Sequence, residues 1–215
     1  MKATLDGAGR LVVPKALRQA LGLKAGQALA VIGPSAAGKS SLARAIVGVW
    51  GLQRGAVRLD GAPLERWCPE RLGEHMGYLP QDVELFDGSI TENIARFEVE
   101  PDSKKVIDAA QSAGVHEMIL RLPEGYETLI GERGGALSAG QRQRIGLARA
   151  LYGKPFLVVL DEPNSNLDAE GEEALAKAIQ GVRARGGIVV CIAHRPGVLA
   201  VVDTIAVVGN GQITA

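Results

Sequence analysis

Residues 33–40 read Gly33-Pro34-Ser35-Ala36-Ala37-Gly38-Lys39-Ser40 and run on into Ser41, a turn that fits G-x-x-x-x-G-K-[ST]. Small residues let successive backbone N–H groups point at phosphate oxygens. A helix starting near Lys39 adds the partial positive charge of its N-terminus. In this pattern the Lys39 ammonium reaches the β- and γ-phosphates of a nucleotide, and the Ser40 hydroxyl holds Mg2+. Far downstream, Leu157-Val158-Val159-Leu160 ends in Asp161-Glu162, which puts two carboxylates at the tip of an apolar run. Asp161 is expected to orient Mg2+ through water, and Glu162 to polarise an attacking water. Phosphoryl transfer needs positioning and charge neutralisation more than covalent chemistry, so these few groups suffice. Read alone, Asp-Glu after a strand more often opens a turn or a helix; the phosphate loop upstream shifts the balance to function. Two further groups sit at comparable places. Gln81 follows the run 77–80 and offers a neutral amide to Mg2+ or to the water. His194 follows the run 188–192, where a γ-phosphate contact would sit.

Each of these groups needs a rigid root, and the apolar pattern supplies one. Residues 28–32 form a short apolar run before the phosphate loop, and Leu42, Ala45 and Ile46 recur at helical spacing over 39–48. The runs 57–59, 77–79, 156–160, 188–192 and 204–208 read as strands, the last closed by Gly209-Asn210-Gly211. Residues 102–121 read as two short helices broken near Gly114, 140–151 as a helix with an Arg-rich polar face, and 169–185 as another helix. Strands alternating with helices predict an α/β fold with a parallel sheet covered on both faces. Its ligands belong at the carboxyl ends of the strands.

The totals fit one large domain, or a domain with a small appendage. The chain has 215 residues, 47% of them apolar, with 24 basic and 24 acidic side chains. That balance gives no pointer to a polyanion. Residues 1–24 carry Lys2, Arg10, Lys15, Arg18 and Lys24 against Asp6 alone, a basic end that reads first as a solvated face. Cys68 and Cys191 lie far apart in no metal or redox spacing, which excludes a disulfide framework and fits a reducing compartment. The start MKATLDGAGR lacks the apolar region of a signal peptide. No run approaches the roughly 18 apolar residues of a membrane span, and the stretch 198–208 is interrupted by Asp203. The expected location is cytoplasmic, or the cytoplasmic face of the inner membrane through a partner protein.

Leu137-Ser138-Ala139-Gly140-Gln141 resembles the signature sequence of ATP-binding cassette proteins, and Arg142-Gln143-Arg144 continues it in the usual way. With the phosphate loop, Gln81, Asp161-Glu162, Ser165-Asn166-Leu167-Asp168 and His194, the ordered set of that family is present over about residues 26–215. The resemblance implies a P-loop NTPase with a RecA-like parallel sheet core, a helical lobe at about 82–150, and a short N-terminal β-rich segment. It implies Mg-ATP binding and hydrolysis by a head-to-tail homodimer. In that arrangement Ser138, Gly140 and Gln141 of one subunit meet the γ-phosphate held by the other, and Asp168 lies at the dimer interface. Ser89-Ile90-Thr91-Glu92-Asn93-Ile94 and Gly131-Glu132-Arg133-Gly134 resemble exporter segments that touch coupling helices of a membrane domain. Residues 77–86 and 161–168 look like the type I secretion exporters.

The sequence also departs from that family. Ala36 and Ala139 stand where the family usually has Gly, and an Ala held at positive φ costs on the order of 1 kcal/mol. Residues 1–28 contain no Phe, Tyr or Trp to stack on adenine; by analogy with base stacking this loses roughly 1–3 kcal/mol. Residues 6–26, with Gly9-Arg10-Leu11-Val12-Val13-Pro14-Lys15 and Leu17-Arg18, resemble instead the swapped-hairpin DNA-binding domain of AbrB-type regulators. That implies a chimera, with residues 1–27 as an AbrB-like or β segment and 28–215 as the cassette. The favoured expectation is that residues 1–25 patch the cassette sheet and bind no DNA. The alternatives are a DNA-binding regulator, with Arg10, Lys15 and Arg18 facing DNA, and a folded but inactive scaffold.

Overall fold

The structure, a computed structural model, describes residues 24–209 apart from 53, 60–61, 132–136 and 194–195, together with 4–5, 11–12 and 212–214. Strand β1 (Thr4–Leu5) pairs antiparallel with β2 (Leu11–Val12). The rest of the AbrB-like reading of residues 1–23, its basic residues included, lies outside the described residues.

The central sheet begins with β3 (Ala28–Ile32). Helix α1 (Lys39–Ile46) follows the phosphate loop, and a small antiparallel pair, β4 (Arg58–Leu59) and β5 (Ala62–Pro63), comes next. Helix α2 (Pro69–His75) leads into β6 (Met76–Leu79). Three short helices, α3 (Ile90–Ile94), α4 (Ser103–Ser112) and α5 (His116–Leu120), precede the longer α6 (Ala139–Leu151). The chain then alternates β7 (Leu157–Asp161), α7 (Ala169–Ala184), β8 (Ile188–Ile192), α8 (Pro196–Leu199), β9 (Thr204–Gly209) and β10 (Gln212–Thr214).

The sheet order is β10-β9-β3-β8-β7-β6. All neighbouring strands run parallel except β10, which returns antiparallel on β9. Strands buried on both faces need apolar side chains at every position, which is why β7 and β8 read as unbroken apolar runs. Their side chains alternate between two cores. Val158, Leu160, Val189 and Cys191 join the helices α3 to α7, whereas Val159, Val190 and Ile192 join Leu42 and Ala43 of α1. Helices therefore cover both faces, as the alternation predicts. The Cys191 thiol is fully buried in β8 and burial keeps it protonated, while Cys68 is exposed.

Charged residues pin the edges of this frame. Asp203, which interrupts the apolar stretch 198–208, accepts from the Ala28 N–H at 2.8 Å and pairs with Arg183. It fixes the start of β3, the strand that leads to the phosphate loop. Gly77 is demanded by packing, because a Cβ there would lie 1.9 Å from the Ala150 carbonyl oxygen at the end of α6. The break expected near Gly114 falls between α4 and α5, with Gly114 at φ 65°. Helices α2, α3 and α8 and strands β5 and β10 were not expected from periodicity; each is too short to show it.

Candidate functional site

The sheet order puts β8 between β3 and β7, and all three strands point their carboxyl ends to one edge. The phosphate loop leaves β3 at Ile32, the carboxylates end β7, and Gln81 lies two residues beyond β6. Residues expected to act together from distant places in the sequence thus gather at one rim. His194, expected to act with them, lies outside the described residues.

The loop's backbone is unusual at three points. Gly33, Ala36 and Gly38 have φ of 151°, 61° and 93°. At Gly33 a Cβ would lie 2.1 Å from the Val208 carbonyl oxygen of β9, so close packing as well as conformation requires glycine. Gly38 caps α1 in the left-handed region without a side-chain cap. The first N–H groups of α1 therefore remain available to an anion. Lys39 is buried, and its Nζ donates to the carbonyl oxygens of Gly33 at 3.0 Å and Pro34 at 2.8 Å. An ammonium has three donors, so these bonds hold it across the mouth of the loop with one donor to spare. Pro34, Ser35 and Ala36 are exposed, Ala37 and Gly38 half-buried, a cradle open on one side.

Asp161 is 0% exposed. Its Oδ1 accepts from the Ser40 hydroxyl at 3.1 Å, while Oδ2 is buried without a hydrogen-bond partner. Burial holds its carboxyl above the usual carboxylate range, opposed by the Ser40 hydrogen bond and reinforced by the charge of Glu162. A buried carboxylate oxygen without a donor costs on the order of 1–3 kcal/mol, and a hydrated cation beside Ser40 would relieve it. The donor set of one hydroxyl and one carboxylate suits Mg2+, which keeps several waters and takes phosphate oxygens for the rest. Among the described residues no group of three or more His, Cys, Asp or Glu gathers round a metal.

Glu162 adopts φ 49°, its N–H donates to the Ile192 carbonyl of β8 at 3.0 Å, and its Oε2 accepts from the Gln81 amide at 3.3 Å. The left-handed turn swings this carboxylate away from the strand line that buries Asp161. Two adjacent acids so reach different environments: one buried beside Ser40, one half-buried at the rim beside Gln81.

The signature segment stands on the exposed head of α6. Ser138 and Gln141 form a capping box: Ser138 Oγ accepts from the Gln141 N–H at 3.2 Å, and Gln141 Oε1 accepts from the Ser138 N–H at 2.8 Å. The Ser138 hydroxyl keeps its own proton to donate. The N–H groups of Ala139 and Gly140, in the first turn, have no intrahelical acceptor. Asp168 is exposed and caps α7 through the Gly171 N–H at 2.8 Å. Ala139 is helical rather than left-handed, so of the two expected strains only the one at Ala36 exists.

Sequence reasoning missed Gln143, a buried amide bonded to the Glu162 carbonyl and the Asn166 N–H. It also missed Arg96, whose guanidinium meets five backbone carbonyls. The only signal for either was a polar residue on an otherwise apolar helix face or helix end. Beside the first of the two segments singled out for coupling helices, Ser89 bridges to Leu129 and the Ile130 N–H donates to the Gly88 carbonyl. Exposed Phe86, Phe97 and Leu129 flank them; residues 132–134 lie outside the described set. A cavity of about 550 Å3 between the end of α1, Trp50, Trp67, α2 and Tyr78 includes no phosphate-loop residue.

The sequence profile described as "ABC transporter" matches residues 18–165. A type I secretion system ATP-binding protein, PrsD, of Rhizobium meliloti is 62% identical over 193 residues, covering 90% of this chain and 33% of that protein. The ATP-dependent lipid A-core flippase of Saccharophagus degradans is 38% identical over 191 residues, 89% of this chain and 32% of that one. Human ATP-binding cassette sub-family B member 6 is 38% identical, with 87% and 22% covered. Among solved structures, a bacterial Atm1-family ABC exporter with ATP bound superposes with a TM-score of 0.80 at 34% identity, over 88% of this chain and 33% of that one. The chain spans about a third or less of the length of these relatives. The comparisons lend no support to the AbrB-like, DNA-binding reading of residues 1–25.

Proposed function

The chain belongs to the ABC transporter family, as an ATP-hydrolysing nucleotide-binding domain of the exporter type, and from that premise we propose that it powers type I protein secretion as half of a head-to-tail pair. The 62% identity to a type I secretion ATP-binding protein supports the choice of export route. The observation that carries the chemistry is the gathering of Lys39, Ser40, Asp161, Glu162 and Gln81 at one rim of the sheet, with Asp161 Oδ2 buried and unpaired.

Residues 33–41 wrap the phosphates of ATP with backbone N–H groups, and Lys39 neutralises the β- and γ-phosphates. Ser40, Asp161 and Gln81 hold Mg2+, directly or through water, and the ion supplies charge neutralisation at the transferring phosphoryl group. Glu162 polarises the attacking water, with His194 beside the γ-phosphate. Ser138, Gly140 and Gln141 of the second copy close over the same phosphate, and Asp168 lines the contact. The exposed aromatic surface beside residues 88–94 and 129–131 receives the membrane domain at the cytoplasmic face. No helix among the described residues is long and apolar enough to cross a membrane.

The test is Mg-ATP turnover and sizing of three proteins. Wild type should hydrolyse ATP; Lys39→Ala should lose the Mg-ATP-induced thermal shift; Glu162→Gln should bind ATP, stop turning over and elute as a dimer only with Mg-ATP. A wild type that shows no thermal shift at millimolar Mg-ATP overturns the reading.

A further inference from the structure

We propose that Gln143 is a positioning residue that ties the water-polarising carboxylate of one nucleotide site to the helix that closes on the other. The inference rests on the head-to-tail reading above. Gln143 lies in the second turn of α6 and is 2% exposed. Its Nε2 donates to the Glu162 carbonyl and to Ser165 Oγ, both at 3.3 Å, and its Oε1 accepts from the Asn166 N–H at 3.1 Å. A buried amide is costly unless its partners are met, and an apolar side chain would fill that space without the cost. What the amide adds is direction. It holds the loop 162–166 by three polar atoms at once.

The loop needs holding. Glu162 sits at φ 49°, a conformation that persists in a non-glycine residue only where the surroundings impose it. Its N–H is fixed to Ile192 on the sheet side and its carbonyl to Gln143 on the helix side. Two more residues on the same face of α6, at the i, i+3, i+4 spacing, repeat the attachment. At Gly140 a Cβ would lie 2.9 Å from the Asn166 carbonyl oxygen, so the helix head rests on the loop backbone. Arg144 reaches Asp168 at 3.5 Å and Glu170 at 3.6 Å. The first turns of α6 and the loop 162–170 therefore form one unit. In the pair, the head of that unit faces the partner copy's nucleotide, while Glu162 faces its own. Closure over one nucleotide is carried through Gln143 to the carboxylate that acts on the other.

The experiment compares full-length wild type, Gln143→Met and Ser165→Ala by Mg-ATP turnover against ATP concentration. Wild type should be cooperative, with a Hill coefficient clearly above 1. In Gln143→Met, kcat should fall on the order of tenfold or more through misplacement of Glu162. Its half-saturating ATP should stay within about threefold, because the phosphate loop is untouched, and its Hill coefficient should drop to about 1. Ser165→Ala removes one of the three bonds and should move kcat and Hill coefficient the same way by less; it carries the test if Gln143→Met does not fold. A cooperative wild type whose variants keep kcat and Hill coefficient overturns the role of Gln143 alone. A wild type without turnover, or without cooperativity, overturns the paired-site reading and the proposal with it.

Discussion

Ala36 and Ala139 occupy positions of one kind in sequence, each in a small-residue motif near a helix start, and their backbones separate them. Ala36 is held at φ 61°, where a Cβ costs about 1–2 kcal/mol. Ala139 is the first residue of α6, where alanine is the better helix former. The same substitution should therefore have opposite signs. Ala36→Gly is expected to stabilise by up to about 1 kcal/mol, after the added freedom of the unfolded chain is deducted, raising Tm by about 2–4 °C. Ala139→Gly is expected to destabilise by about 0.5–1 kcal/mol. Thermal unfolding of the two variants side by side checks the pair; equal signs would refute the conformational argument. The phosphate-loop and carboxylate residues were legible in the sequence because their motifs are local and ordered. Gln143 was not legible, because its partners, Glu162 and Asn166, come from a loop that only folding brings beneath α6.

Arg96 shows how elements are joined where no motif marks the joint. Its guanidinium donates to the carbonyls of Gly73 and Met76 at the end of α2 and the start of β6, and to those of Arg149, Ala150 and Tyr152 at the end of α6. Helix carboxyl ends carry partial negative charge, so one cation anchors both. Charged hydrogen bonds of this kind each contribute about 1.5–3 kcal/mol, though they do not add. Arg96→Met is expected to lower Tm by roughly 5–10 °C and leave the phosphate loop's ATP affinity within about twofold, since the loop hangs from β3. Thermal unfolding and equilibrium ATP binding separate the two effects; a joint collapse of both would contradict this division. The strands were readable because parallel strands buried on both faces are apolar throughout. Helices α2 and α3 were not, being shorter than two turns of periodicity. Their marks were local: Pro69 at the first position of α2, and the Ser89–Glu92 capping box of α3.

At the scale of the whole molecule, the signature residues Ser138 and Gly140 project from the head of α6, while the phosphate loop and carboxylates sit at the rim of the sheet. In the proposed head-to-tail pair, a single copy supplies both halves of the chemistry but completes its site only with a second copy. Turnover per chain is therefore expected to rise with protein concentration until dimers saturate. A specific rate independent of concentration over a hundredfold dilution would show that one copy suffices. The two thiols give this frame a further property. Cys68 is open to solvent, whereas Cys191 lies in β8, hydrogen-bonded between the strand that launches the phosphate loop and the strand that ends in the carboxylates. The Cys191 side chain faces the helical layer, so a thiol reagent reaches Cys191 only when that layer opens from the sheet. Its modification rate under native conditions thus clocks the lifting of the helices from the strand that braces both halves of the site, with Cys68 in the same chain as the internal standard for an exposed thiol.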